Sequence, residues 1–357
     1  MKESLMQNKK IFFLADSNSI HTAKWVDYFI DQGFDVYLAT FSRVNITKCN
    51  NLYILGNKNP KVKGGNYYYL LYVNELSKIL NQIKPDVINA HFSYSIGLVA
   101  LLAKTISRTK SIFSVVCHGN DILSPPMPYL FDKINKYILS KCNKIFAVSD
   151  QIKDKIFNMG ISSKKVFVGQ YGINQNVYNN QIKKDIDILS NRSYVPNSRI
   201  EFLLDSLEAF RYDGLKIVFI LPHADDDKVK ELEAKYSFVK FYKFLPYEQI
   251  INMISRTKIY ISATKSDGTS LSLMEAMSCG AIPVVSNIVS NRSWVLDGVN
   301  GYLFDTDKQL IKSIKVALSQ DNENKINVNK KLIFDKCNYL NQMKKIENFL
   351  FLQEECH

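Results

Sequence analysis

Along the first half of the chain, short apolar runs alternate with longer stretches whose apolar residues recur every three or four positions. The runs Lys10–Ala15, Asp35–Thr40, Asn51–Leu55, Val87–Ala90, Ser111–Cys117, Lys144–Val148 and Lys165–Gly169 are rich in β-branched and aromatic residues and predict strands. Helical spacing occupies the intervals His21–Gln32, Tyr67–Ile83, Tyr94–Ser107, Pro128–Lys141 and Asp150–Met159. Ser149-Asp150 reads as a helix cap and Gly160 as the stop of that helix. This alternation of strand and helix predicts a parallel, doubly wound α/β sheet.

The pattern weakens across the polar segment Asn174–Asp187, which reads as a linker. A second alternating block follows. Its predicted strands are Ile186–Ser190, Lys216–Leu221, Val239–Tyr242, Lys258–Ser262, Ile282–Ser286 and Tyr302–Phe304, and its helices Ile200–Phe210, Asp225–Tyr236, Tyr247–Ser255, Leu271–Cys279 and Asp307–Ser319. Beyond them Lys325–Gln353 is helical in tone. A length of 357 residues suits two domains. The expected division is 1–175, 185–325 and a C-terminal helical segment 326–357. In a two-lobed α/β protein the strand C-termini face a cleft, the default ligand site.

The stretch Ser262–Pro283 concentrates the chemistry. Lys258–Ser262 reads as a buried strand, Gly268-Thr269-Ser270 as a loop, and Leu271–Cys279 as a helix stopped by Gly280 and Pro283. Free N–H groups and the positive helix end make such a loop an anion site. Asp267 and Glu275, eight residues apart, would then accept hydrogen bonds from hydroxyls attached to that anion, as in a sugar or ribose carrying phosphate. On the acids alone, an ordinary strand–helix unit with solvated carboxylates is an equal reading.

Composition narrows the partners. With 46 basic and 34 acidic side chains the formal charge is +12, which favours an acidic partner: nucleic acid, an anionic membrane surface or a phosphorylated substrate. No zinc finger, helix-turn-helix or aromatic-interleaved basic motif is present, so nucleic acid is not expected. Apolar runs such as Ile96–Ala103 are far shorter than a membrane span, and Ile11–Ala15 is too short for a signal-peptide core. The six cysteines form no C-x-x-C pair, which suggests neither zinc nor a disulfide framework and fits a reducing cytoplasm. Nothing groups the five histidines as metal ligands.

Several separated pieces agree in order: Asn89-Ala90-His91, Val116–Asp121, Phe146–Ser149, Tyr171–Asn174, Ser190-Asn191-Arg192, Asp267 with Glu275, and Asp297–Gly301. This ordered set resembles the retaining glycosyltransferases of family 4, over nearly the whole chain and most specifically at Asp267–Pro283. The resemblance implies the GT-B fold, two facing Rossmann-like domains with a cleft between them, the first binding acceptor and the second the nucleotide sugar. It also implies that the C-terminal segment packs back on the first domain.

The same resemblance assigns roles. Glu275 would bind the ribose hydroxyls and Asp267, one methylene shorter than the usual Glu, the donor sugar. Backbone N–H groups of Gly268, Thr269, Ser270 and Leu271 would hold sugar and phosphates. Arg192 would neutralise the departing diphosphate with two-pronged hydrogen bonds. The family lysine about five residues further on is absent here, and Arg199 and Lys265 are the two candidates to replace it. Leu221-Pro222-His223 stands where many relatives carry a Gly-rich turn. His118 would contact the donor sugar's outer hydroxyl. His91 divides evenly between packing and the site. Asn18, Ser19, His21 and Asp121 are the expected acceptor contacts.

The activity implied is metal-independent transfer, with retention, of a sugar from a UDP- or GDP-sugar. The acceptor would be a glycan or lipid-linked hydroxyl in cell-envelope polysaccharide synthesis. No cofactor is implied beyond the nucleotide sugar as co-substrate. The location would be cytoplasmic, peripheral on the inner membrane face. Two other readings stand beside it: glycoside hydrolysis by a carboxylate pair, and a non-catalytic sugar-nucleotide-binding partner subunit of the same fold.

Overall fold

The computed structural model describes residues 9–56, 66–169, 172–173 and 182–351. Tyr171, Asn174, Cys356, His357 and most of the predicted linker lie outside them. The chain divides into two compact units, Met1–Tyr171 with Gln342–His357, and Gly172–Asn341.

Among the described residues the first unit holds seven strands: β1 (Lys10–Leu14), β2 (Asp35–Thr40), β3 (Asn51–Ile54), β4 (Val87–His91), β5 (Ile112–Cys117), β6 (Lys144–Ala147) and β7 (Val166–Val168). They pair in the order 3-2-1-4-5-6-7, all parallel. Strands β1 and β4 are buried almost end to end, because helices cover both faces of a parallel sheet. The second unit holds β8 (Ile186–Asn191), β9 (Ile217–Ile220), β10 (Val239–Tyr242), β11 (Thr257–Ser262), β12 (Ile282–Ser286) and β13 (Tyr302–Phe304), in the order 10-9-8-11-12-13, again parallel.

Alternation along these strands builds two cores. Ile188, Phe219 and Ile259 face one side with Leu203, Leu207 and Ile314. Their neighbours Leu189, Ile220 and Tyr260 face the other with Leu273, Met274, Met277 and Ile333. The second core includes helix α10 (Leu271–Ser278), so the helix beneath the predicted anion loop is packed on its own apolar face. Two parallel α/β Rossmann-like units match the predicted fold class.

Predicted elements recur with ends shifted by a residue or two, and the larger departures have tertiary causes. Tyr67–Ile83 opens as a 3-10 turn over Tyr67–Tyr72, where Tyr69 stacks on Phe41 at 3.8 Å, before helix α2 (Val73–Ile83) begins. Tyr94–Ser107 opens with a π turn over Ser93–Gly97 and continues as helix α3 (Leu98–Ser107). Two one-turn helices, Asn120–Leu123 and Val289–Arg292, were too short to leave a periodic signal.

The C-terminal segment corrects the expected boundary at 326. It forms two helices, α13 (Glu323–Cys337) and α14 (Tyr339–Phe351), and only the chain from Gln342 onward belongs to the first unit. The break at Asn338 arises because the backbone there bridges Ile173: Ile173 donates to the Cys337 carbonyl at 2.8 Å and Tyr339 donates to the Ile173 carbonyl at 3.1 Å. Gly172 makes the approach possible. Its φ is +66°, and a Cβ there would lie 2.6 Å from the Tyr339 Cα. Helix α14 then packs into the first unit through Met343, Ile346 and Leu350. Phe351 stacks on Phe34 at 5.2 Å, and the Tyr28 hydroxyl donates to Glu347 at 2.7 Å.

Candidate active site

In the second unit the C-terminal ends of β8 and β11 bring Arg192 to the Ser262–Pro283 stretch. Its Nη2 donates to Asp267 Oδ2 at 2.9 Å and its Nη1 to Ser270 Oγ at 3.0 Å. Both charged side chains are largely buried. Burial works against the guanidinium's charge, and the Asp267 carboxylate more than offsets it, so the Arg192 pKa rises.

Ser270 caps α10, its hydroxyl accepting the Leu273 N–H at 3.3 Å. The remaining N–H groups of the first helical turn have no intrahelical acceptor, so the positive end of α10 opens beside the arginine. Glu275 sits one turn further, only 5% exposed, with Oε1 accepting the Tyr247 hydroxyl at 2.8 Å. Tyr247 is the first residue of helix α9 (Tyr247–Ser255), and no sequence pattern marked it.

The loop itself is fastened by Asn197, in the short 3-10 turn Pro196–Ser198. Its Nδ2 donates to the Ser266 carbonyl at 2.8 Å, its Oδ1 accepts the Ser266 N–H at 3.2 Å, and its own carbonyl accepts the Lys265 N–H at 3.0 Å. Lys265 is therefore placed by its backbone while its side chain is exposed. Arg199, at φ +51°, lays its guanidinium 3.9 Å from the Phe202 ring centre. The guanidinium stacks on that ring, and the Arg192–Asp267–Ser270 group is joined without it. His223, for which the sequence offered no role, bonds through Nδ1 to Ser193 Oγ at 3.2 Å, immediately beside Arg192.

In the first unit three imidazoles gather. His118 follows β5 and its Nε2 lies 3.3 Å from His91 Nδ1, at the end of β4. The ring centre of His21, on helix α1 (Ile20–Asp31), is 5.8 Å from that of His118. Phe92 packs 4.5 Å from His118 and holds a φ of +75°, an uncommon conformation for an aromatic residue. Burial lowers all three histidines: His21 to about 4, His91 to about 3, and His118 well below the usual range, where the neighbouring rings oppose charge as well. All are neutral near pH 7. His91 is buried, packs edge-on against Phe13 and Trp25, and is also the hydrogen-bonding neighbour of His118.

The reading of Asp121 as an acceptor contact needs correction. Its carboxylate is buried and accepts three backbone N–H groups, those of His118 (3.1 Å), Gly119 (3.0 Å) and Ser93 (2.9 Å). Burial raises its pKa and these bonds oppose the rise. Asp121 is thus the clamp that holds the His118 turn, with Gly119 at φ +132° allowing that turn. Ser19 is likewise occupied as the cap of α1, its hydroxyl accepting the His21 N–H at 3.3 Å, whereas Asn18 beside it is exposed. Among the described residues no group of three or more His, Cys, Asp or Glu is arranged to hold a metal ion.

Comparison with known proteins places this geometry. A family model described as glycosyl transferase 4-like matches residues 10–149, and one described as glycosyl transferases group 1 matches residues 174–332. An uncharacterized glycosyltransferase of Methanocaldococcus jannaschii is 20% identical over 245 residues, covering 66% of each chain. The GtfA subunit of the UDP-N-acetylglucosamine–peptide N-acetylglucosaminyltransferase of Streptococcus parasanguinis is 23% identical over 181 residues, covering 50% of this chain and 35% of its own. The matched part of the chain thus spans from about a third to two thirds of these relatives' lengths.

Among solved structures, HepE of Anabaena in complex with UDP-glucose aligns with a TM-score of 0.76 at 16% identity, over 96% of this chain and 99% of its own. Sucrose-phosphate synthase of Thermosynechococcus elongatus aligns with a TM-score of 0.80 at 12% identity, over 95% and 98%. These likenesses establish the GT-B fold. With both halves of the chain matched by family models, the chain belongs to the group 1 glycosyltransferases of the family 4 type.

Proposed function

We propose that the protein is a retaining glycosyltransferase that moves a sugar from a UDP- or GDP-sugar to a hydroxyl of a glycan or lipid-linked acceptor in cell-envelope polysaccharide synthesis, at the inner membrane face. The observation that carries this reading is the fork of Arg192 at the N-terminus of α10, flanked by Asp267 and followed by the buried Glu275. Relatives and fold neighbours whose names carry UDP or a UDP-sugar support uridine over guanosine.

The chemistry asks for departure of a nucleoside diphosphate from an anomeric carbon while an acceptor hydroxyl attacks. Negative charge grows on the phosphate, so donors fixed before the reaction stabilise the transition state more than the ground state. Arg192 and the first turn of α10 supply those donors without calling on a metal. Asp267 and Ser270 hold the guanidinium in orientation until the diphosphate competes for it. Glu275, aligned by Tyr247, accepts from the ribose hydroxyls, and Asp267 from the sugar. In the first unit His118 offers a neutral imidazole to a sugar hydroxyl, and the exposed Asn18 lies on the acceptor side.

Thermal-shift titration with UDP, GDP, dTDP, ADP and CMP, free and as their sugars, identifies the donor, because a ligand of the native state raises its stability. With the donor known, Arg192→Ala should lower kcat/KM about 100- to 1,000-fold, and Glu275→Ala should raise the donor KM. Wild-type turnover by both variants would sink these roles. Nucleotide binding with no transfer to any acceptor would favour the non-catalytic partner subunit.

A further inference from the structure

An apolar cavity of about 390 Å³ lies in the first unit, between the 3-10 turn Tyr67–Tyr72, the start of α3 and helix α5 (Pro128–Lys141). Tyr69, Leu70, Tyr94, Leu98, Met127 and Leu130 line it. The surface around its mouth is apolar and open to solvent: Leu71 and Tyr129 are each 79% exposed and Tyr67 65%. Leu102 and Ile106, four and eight residues after Leu98, continue the exposed apolar line along α3.

The outer face of α5 shows what covers this surface. After Pro128 its exposed positions are Tyr129, Leu130, Lys133, Lys136, Tyr137, Ser140 and Lys141, an interleaved tyrosine and lysine stripe. Lys133 bonds the Tyr129 hydroxyl at 2.8 Å and lies 4.2 Å from that ring's centre, and Lys141 sits over Tyr137 at 5.8 Å. The helix's one acid, Asp132, is paired with Lys155 at 3.1 Å and adds no free negative charge. Protein interfaces deplete lysine at their apolar centres. An amphipathic helix with tyrosines at the level of lysines that snorkel outward is the composition of a surface lying in a lipid headgroup layer.

We propose that this face docks on an anionic phospholipid bilayer, with α5 in the headgroup plane, its lysines against lipid phosphates, and the cavity between α5 and the Tyr67–Tyr72 turn receiving an acyl chain. The proposal rests on the inner-membrane-face reading above and names the surface that makes it. It sets the first unit on the leaflet that would hold a lipid-linked acceptor, and it is independent of the nucleotide-binding residues.

Flotation with phosphatidylcholine vesicles, with and without phosphatidylglycerol, tests it on the full chain. Wild type should float with the anionic vesicles and far less with neutral ones, and soluble glycerol 3-phosphate should not compete. Lys133→Gln with Lys136→Gln should lower partitioning about 25-fold, about fivefold per lysine. Leu130→Asp should abolish it even at low salt. These positions are exposed, so both variants should keep the wild-type nucleotide thermal shift, which reads the glycosyltransferase assignment separately. Wild type that floats with no anionic vesicle overturns both the docking surface and the membrane-face reading. Flotation unchanged in both variants overturns the surface alone. Competition by glycerol 3-phosphate overturns it in favour of a soluble phosphate site, and a self-association that Leu130→Asp dissolves overturns it in favour of a second copy.

Discussion

Among the described residues Glu275 is one of three buried acids, with Asp121 and Glu347, and the 2.8 Å bond from Tyr247 helps orient it. Removing one neutral-to-charged hydrogen bond costs roughly 1.5–3 kcal/mol where the acceptor stays buried. Tyr247→Phe should therefore raise the donor KM about tenfold with little change in kcat, read by initial rates against donor concentration; a fall in kcat with KM constant would place Tyr247 in the chemical step instead. The histidines titrate at the same scale. The unfolded chain protonates them near 6.5, while folded His91 and His21 resist protonation until about 3 and 4. The unfolded state then binds more protons over that window, so the stabilisation is complete above 6.5 and is lost as pH falls toward about 4 for His21 and about 3 for His91. His91 alone should remove about 3 kcal/mol by pH 4. Urea unfolding at a series of pH values should show this loss, and His91→Gln should flatten it.

Among the elements, the joint between Ile173 and the α13–α14 break depends on a glycine. Gly172→Ala would set a Cβ 2.6 Å from the Tyr339 Cα and 2.7 Å from the Cys337 carbonyl oxygen, at a φ that alanine disfavours. A cost of about 2–4 kcal/mol is expected, seen as a lower urea midpoint. Gly214, also at positive φ but with open space around it, is the control: Gly214→Ala should cost only the backbone strain, about 1 kcal/mol. Helix α10 shows the opposite balance. Its Ser270 cap, its packing on α13 through Met274 and Cys337, and its Gly280 stop are all consistent with its short length of eight residues. A rigid helix start is what a preorganised anion site needs.

At the scale of the whole molecule, the first unit is completed by the last helix of the chain. Ending the chain after Asn341 would uncover Phe34, Phe146 and Phe167, which Phe349 and Phe351 now adjoin. The first unit should then become protease-sensitive while the second, whose cores lie within residues 173–337, keeps its nucleotide thermal shift. Limited proteolysis with and without nucleotide reads both outcomes. The sequence by itself determined the strands, the principal helices, their alternation and the strand–loop–helix around Asp267, because periodicity, caps and glycine stops act within a dozen residues. It also singled out Arg192, Glu275 and His118, through short ordered motifs. The tertiary structure alone decided which groups meet. Arg192 finds Asp267 75 residues away, His118 finds His91 27 residues away, and Tyr247 finds Glu275 28 residues away. It also turned Asp121 inward and broke the last helix at Asn338. Those outcomes follow from parallel strand order, which places the ends of sequence-distant strands side by side, and no local pattern encodes that.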